Sequence, residues 1–126
     1  MLDTQVFALG FERTRWLAAR LSVVAGNVAN ADTPGYKPRD VPSFENALTL
    51  ARTDLYRTVA GHMAVDRPEG RAFEVIARDG ASGKHSGNAV SLETEMAALG
   101  ETRSQQSMVT GLLSAFQRML LASTKG

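Results

Sequence analysis

Cysteine is absent from the 126 residues. Its absence excludes disulfides and thiolate metal sites, and it fits either a reducing cytosol or a chain that must stay redox-indifferent during export. Charge of one sign is missing too. Fourteen Lys and Arg against thirteen Asp and Glu leave a formal net charge of +1, which offers little to nucleic acid or to an anionic membrane. Aromatic residues make up only 6% of the chain. No apolar run reaches the roughly eighteen residues of a membrane span, so direct membrane insertion is not expected. The pattern for a cleaved leader is also incomplete. Arg13, Arg15 and Arg20 precede the stretch from Leu21 to Ala29, and Ala29-Asn30-Ala31 has the small-x-small form of a cleavage site. Asn27 interrupts that apolar stretch, however, and the basic residues begin late, so cleavage is not expected.

Catalytic constellations are equally scarce. His62 and His85 are the only histidines, and neither stands in a metal-ligand spacing. Ser86 beside His85 is sequence adjacency rather than triad geometry, and no Gly-x-Ser-x-Gly elbow occurs. The stretch from Gly80 to Gly87 misses the phosphate-loop spacing, and its Lys84 reads as a solubilising residue. Glu93 and Glu95 lie two apart and so point to different faces of a helix, where the helix dipole accounts for both. Trp16 reads as a core or interface anchor, and Met96, Met108 and Met119 as packing residues. No catalytic residue, metal ligand or cofactor is expected.

What the chain does contain is helix pattern at its two ends. Residues 3–30 form the first candidate, with Asp3 as N-cap. Phe7, Phe11, Leu17, Leu21, Val24 and Val28 recur at steps near 3.6, with Thr14 as the polar member of the stripe. Leu2, Val6, Leu9 and Trp16 make an adjoining row, and Glu12, Arg13, Arg15 and Arg20 supply the wet side. So broad an apolar surface wants more than one neighbour. Gly10 and Gly26 each cost about 1 kcal/mol relative to Ala, and each leaves room for a close approach. Residues 91–124 form the second long helix, about 50 Å at 1.5 Å per residue. Ser91 is the expected N-cap. Leu92, Met96 and Leu99 begin a stripe that Val109, Leu112, Leu113, Phe116, Met119 and Leu120 finish. The stretch from Glu101 to Ser107 between them is nearly all polar, and Gly100 and Gly111 interrupt the run.

The middle is irregular. Pro34, Pro38 and Pro42 exclude a helix or central strand over 31–43. Ser43 caps a short helix over about 44–56, with Phe44, Ala47, Leu48, Ala51 and Leu55 on one face. Residues 72–77 read as a strand and Asp79-Gly80 as a hairpin-type turn, while 80–88 reads as a mobile loop with nothing to bury. The expected fold is therefore mainly α. Long helices stand at the two chain ends, 1–30 and 89–126, around a partly β or disordered middle, 31–88. Two helices alone cannot cover their apolar surface, so the free monomer is expected to be marginal and its ends to order fully only against copies or partners.

The first helix ends in Asn27-Val28-Ala29-Asn30-Ala31-Asp32-Thr33-Pro34-Gly35-Tyr36-Lys37. Asn27 and Asn30 share a helix face. Asp32 and Thr33 can bond back to the backbone. Proline forces Thr33 out of the helical region, Gly35 can take positive φ, and Tyr36 offers an anchor with a polar tip. Together with Ser22, this stretch resembles the N-terminal signature of the bacterial flagellar axial proteins, the family of rod, hook and filament-joining subunits. Among these it is most similar to the proximal rod proteins. Arg13-x-x-Trp16-Leu17-Ala18, Arg39-Asp40, Phe44-Glu45-Asn46-Ala47-Leu48, Arg57-Thr58 with Gly61-His62, and Gly87-Asn88-x-Val90-x-Leu92-Glu93-x-Glu95-Met96 carry the likeness through most of the chain.

The resemblance implies a structural subunit of the basal-body rod, in which the long N- and C-terminal helices pair as a coiled-coil-like inner domain. Such a subunit would assemble with itself and other rod proteins, with the adaptor at the rod base and with the membrane-embedded ring, and would transmit torque across the periplasm. Export would run through the flagellar type III apparatus without a cleaved signal. By the same resemblance, Ser22, Asn27, Asn30, Asp32, Thr33, Pro34, Gly35 and Tyr36 would fix the path out of the inner helix, and Leu17, Leu21, Val24, Leu113, Phe116 and Leu120 would hold the helix pair. The rival reading is a non-enzymatic export adaptor or chaperone built on a stable helix pair. A small cell-wall hydrolase would need paired acids or an activated nucleophile, and neither is visible.

Overall fold

In the computed structural model, residues 2–50, 73–78 and 90–126 are described. Helix α1 runs Leu2–Ala29. Strand β1, Arg39–Asp40, follows the turn. Helix α2 begins at 44 and is helical to 50 within the described residues. Strand β2 is Ile76–Ala77, and helix α3 runs Leu92–Thr124. The fold is mainly α, with the two long terminal helices packed on each other. They lie antiparallel: the Phe7 ring meets Phe116 at 5.4 Å between centroids, Arg13 reaches Gln105, and Asn27 reaches Glu95. None of the described helices is long and apolar enough to cross a membrane.

The packed faces follow a seven-residue rhythm. On α3, Glu95, Thr102, Val109 and Phe116 stand seven apart, as do Leu99, Gln106, Leu113 and Leu120. All eight are buried or half-buried. On α1, Gly10, Leu17 and Val24 keep the same spacing, and Leu17 and Val24 are fully buried. Gly10 faces Leu113 so closely that a Cβ there would fall onto the Leu113 side chain, so glycine admits a leucine at this crossing. Gly26 has open space beyond its Cα. The expected close approach holds at Gly10 and involves a side chain rather than a backbone.

A small core forms where α1 meets the chain returning from the turn. Trp16, Leu17 and Val41 are its buried centre, with Val23, Phe44, Phe73 and Val109 packed around them. The Trp16 indole N–H donates to the Pro42 carbonyl at 2.7 Å, and its ring meets Phe44 edge-on. The Arg13 guanidinium lies 4.7 Å from the Trp16 ring and 4.9 Å from Phe44, a cation–π placement. Arg13 therefore belongs to the packing, not to the wet side. Ser43 caps α2 as expected, accepting the Asn46 N–H on Oγ.

Several local readings shift. α1 already includes Leu2, so Asp3 sits inside its first turn rather than at the cap. Ser91 holds the N-cap position of α3 with extended backbone, but its hydroxyl makes no cap bond. The strand expected over 72–77 is two residues long. It pairs antiparallel with β1, in the register Arg39↔Ala77 and Asp40↔Ile76. Pro38 and Pro42 flank β1 and limit it to this length. The expected turn at Asp79-Gly80, the loop over 80–88, the end of α2 beyond 50, the Arg57-Thr58 and Gly61-His62 motifs and both histidines lie outside the described residues.

Candidate assembly site

The α1 exit is a chain of hydrogen bonds. Asn30 donates twice to the Gly26 carbonyl, from its backbone N–H at 3.1 Å and from Nδ2 at 2.8 Å, which satisfies an end-of-helix acceptor. The Asn30 carbonyl accepts the Thr33 N–H at 3.0 Å, and the Thr33 carbonyl accepts the Tyr36 N–H at 3.2 Å. Thr33 Oγ1 donates to Asn30 Oδ1 at 3.3 Å. Gly35 has φ +74°. A bond across four residues, proline second and positive-φ glycine third, is the type II pattern. Ser22 and Asp32 are exposed; Ser22 lies well back along α1, outside this chain of bonds.

Asn27 is the centre of the arrangement. It is 0% exposed and uses its full hydrogen-bonding capacity. Nδ2 donates to the Arg39 carbonyl at 2.7 Å and to Glu95 Oε2 at 3.0 Å. Oδ1 accepts the Arg39 N–H at 2.9 Å and the Tyr36 hydroxyl at 3.4 Å. The side-chain amide thus pairs with the backbone of β1 as a neighbouring strand would. Glu95, 1% exposed, also accepts from Arg78 Nη1 at 2.6 Å on its other oxygen. Arg78 Nη2 bonds Asp40 Oδ2 at 3.3 Å. Asp40 Oδ1 accepts the Val41 N–H at 2.8 Å and lies 3.7 Å from Arg20 Nε. Among the described residues no buried side-chain nitrogen or oxygen lacks a partner.

One connected polar hub thereby joins α1, the turn, β1, β2 and α3. The dipole reading of Glu95 is corrected here: Glu93 is exposed, whereas Glu95 is a buried ion-pair partner. Arg20 likewise faces Asp40 and is not on the wet side. Glu95, Arg78, Asp40 and Arg20 are not legible as a group in the sequence, because their pairing crosses up to 38 residues of chain (Arg78 to Asp40). A signal existed for Glu95. Stepping back by fours and threes from Leu120 through Phe116, Leu113 and Val109 passes Thr102 and Leu99 and lands on Glu95. The row Leu92, Met96 and Leu99 drew attention instead, yet Leu92 and Met96 are exposed.

The other named packing residues divide. Leu17 and Val24 are fully buried. Leu21, Leu113, Phe116 and Leu120 are half-buried along the α1–α3 contact. Around and beyond the crossing of Gly10 and Leu113 the outer faces of the pair are uncovered. Leu2 is 76% exposed, Leu112 62% and Met119 61%, and Val6, Leu9, Phe11, Met108 and Leu121 are exposed beside them.

A helix pair joined at one end by a buried polar hub, and uncovered toward the other, is the framework of a helical structural subunit. Residues 17–37, from the buried Leu17 through the whole turn, match the family model described as "Flagella basal body rod protein". The chain is 35% identical to the flagellar basal body rod protein FlgB of Agrobacterium fabrum over an alignment of 133 residues, covering 99% of this chain and 96% of that protein. It is 32% identical over 108 residues to the protein of the same name from Cereibacter sphaeroides, covering 85% and 84%. The chain belongs to the FlgB family of flagellar basal body rod proteins. That membership makes it a structural rod subunit and does not favour the adaptor reading.

Proposed function

We propose that this subunit builds the proximal part of the rod by stacking its terminal helices against copies of itself and against other rod proteins, and that the assembled rod carries torque across the periplasm. In this reading 1–30 and 89–126 are the inner domain and 31–88 the middle segment. Asn27, Asn30, Thr33, Pro34, Gly35 and Tyr36 set the direction in which the chain leaves the inner helix. The subunit works without catalysis. Its remaining partners are the adaptor at the rod base, the membrane ring and the type III export apparatus.

The observation that carries this reading is the apolar far end of the helix pair. Leu2, Val6 and Leu9 on α1, and Met108, Leu112 and Met119 on α3, are exposed. Burying one such side chain stabilises by about 1.5–3 kcal/mol, so neighbours that cover them gain far more than the free monomer can. The far end is therefore the part expected to order only on assembly. Entry without a cleaved signal is supported by the place of α1 in the fold: cleavage after Ala31 would remove Trp16, Leu17, Val24 and Asn27 from the core and the hub.

The test is mass spectrometry of hook–basal bodies purified from the source bacterium. Several copies of this chain per particle are expected. Absence of the chain from the particles, in cells that still need it to swim, would overturn the rod assignment in favour of an export adaptor.

A further inference from the structure

The heptad spacing on both helices leaves a problem that apolar packing does not solve. Gly10, Leu17 and Val24 stand seven apart, and so do both packed rows of α3. Helices paired through such repeats pack nearly as well after sliding by one heptad. On α1, Arg13, Arg20 and Asn27 are also seven apart, and their polar partners all differ: Gln105, Asp40 and Glu95. The polar row is therefore where one register is distinguished from the next.

We propose that Glu95 is a positioning residue that locks the register of α3 on α1. In the observed register its carboxylate is fully partnered, by Asn27 from α1 and by Arg78, the residue after β2. A slide of one heptad in one direction sets Thr102 beside Asn27 and takes Glu95 away from both donors. The opposite slide carries Glu95 toward Arg20, which already faces Asp40. Either slide takes the carboxylate from the buried Asn27 Nδ2, where water is excluded, and from the half-buried Arg78 guanidinium, and hydrocarbon contacts do not compensate such a loss. Arg78 also bridges to Asp40, so the same carboxylate fixes where the 73–78 segment lies against the helix pair. The lock stands on the fold alone and is independent of the place of the chain in the rod.

The cysteine-free sequence makes the register directly readable. In the purified full-length chain, Gly10→Cys with Leu113→Cys reports the observed register, and Leu113→Cys also removes the side chain that a Cβ at position 10 would meet. Gly10→Cys with Gln106→Cys, or with Leu120→Cys, reports a slide of one heptad either way. After mild oxidation, cross-linked monomer is separated from dimer by non-reducing electrophoresis. With Glu95 present, only the 10–113 pair closes. With Glu95→Leu, which keeps the face apolar and the helices paired, the 10–106 or 10–120 pair closes at a rate comparable with 10–113. Exclusive 10–113 closure in Glu95→Leu overturns the proposal. If Glu95→Leu loses its helical circular dichroism, Glu95→Gln decides: its slide-reporting pairs are expected to close at least about tenfold faster than in the Glu95 chain, and unchanged closure overturns the lock.

Discussion

At the turn end of the helix pair, Asn27 and Glu95 are buried with every polar atom partnered, and Trp16, Leu17 and Val24 are buried nearby. At the far end, Leu2, Leu112 and Met119 stand more than half exposed on helices of equal regularity. The two regions use the same secondary structure and much the same apolar residues. They differ in how many elements converge. Around Asn27 five segments meet, so even a carboxylate finds its donors. Beyond Gly10 only the two helices remain among the described residues, and two helices cannot enclose their own apolar rows. The comparison separates what holds the subunit together from what is left for its neighbours.

The largest effect is expected at the hub. Asn27→Leu withdraws a donor from Glu95 and strands both backbone groups of Arg39. Each buried polar group left without its partner costs about 1–3 kcal/mol, together a large share of the stability of a small domain. Thermal melts followed by circular dichroism are expected to lose their cooperative transition. An unaltered melt would show that the hub is ornament to the helix pair.

A smaller effect is expected at the turn. Gly35→Val places a β-branched side chain at φ +74°, at a cost of about 1–3 kcal/mol. Expression and export are expected to persist while rods fail to assemble, as read from motility and from hook–basal body yield. Normal rods carrying this substitution would remove the turn from the account.

Gly10→Ala probes the boundary between the two regions. Crowding Leu113 costs about 1–3 kcal/mol, and the alanine returns about 1 kcal/mol of helix propensity. A net loss of about 1 kcal/mol is expected in denaturant titration of the free chain, and a stabilised variant would mean that Leu113 swings clear. The smallest effect on the isolated chain belongs to Leu112→Gln with Met119→Gln, within about 0.5 kcal/mol per site for exposed positions. The same pair is expected to abolish assembly in cells. Wild-type swimming would show that the far end is not an interface.

Much of this fold is legible in the sequence. Steps near 3.6 mark both long helices, and the Pro34-Gly35 pair with the preceding Asn27 and Asn30 marks where the first must end. The hub is less legible for a physical reason. Glu95 stands in the first turn of α3, where the dipole alone is reason enough for a carboxylate. Its true partner, Arg78, directly follows a two-residue strand that periodicity cannot reveal, and β1 and β2 pair across 36 residues. In the first turns of α3 hydrophobicity and burial part company: Leu92 and Met96 are exposed, while the heptad spacing runs through the polar Glu95 and Thr102, which are buried.

The most direct test of the contrast is maleimide labelling of Leu112→Cys, the single thiol in an otherwise cysteine-free chain, compared between the purified subunit and intact hook–basal bodies. Fast labelling of the free subunit and protection in the particle are expected, because neighbours cover the far end only on assembly. Equal labelling in both states would contradict the account: the apolar end would then face solvent in the finished rod, and the surfaces that join subunits would lie elsewhere.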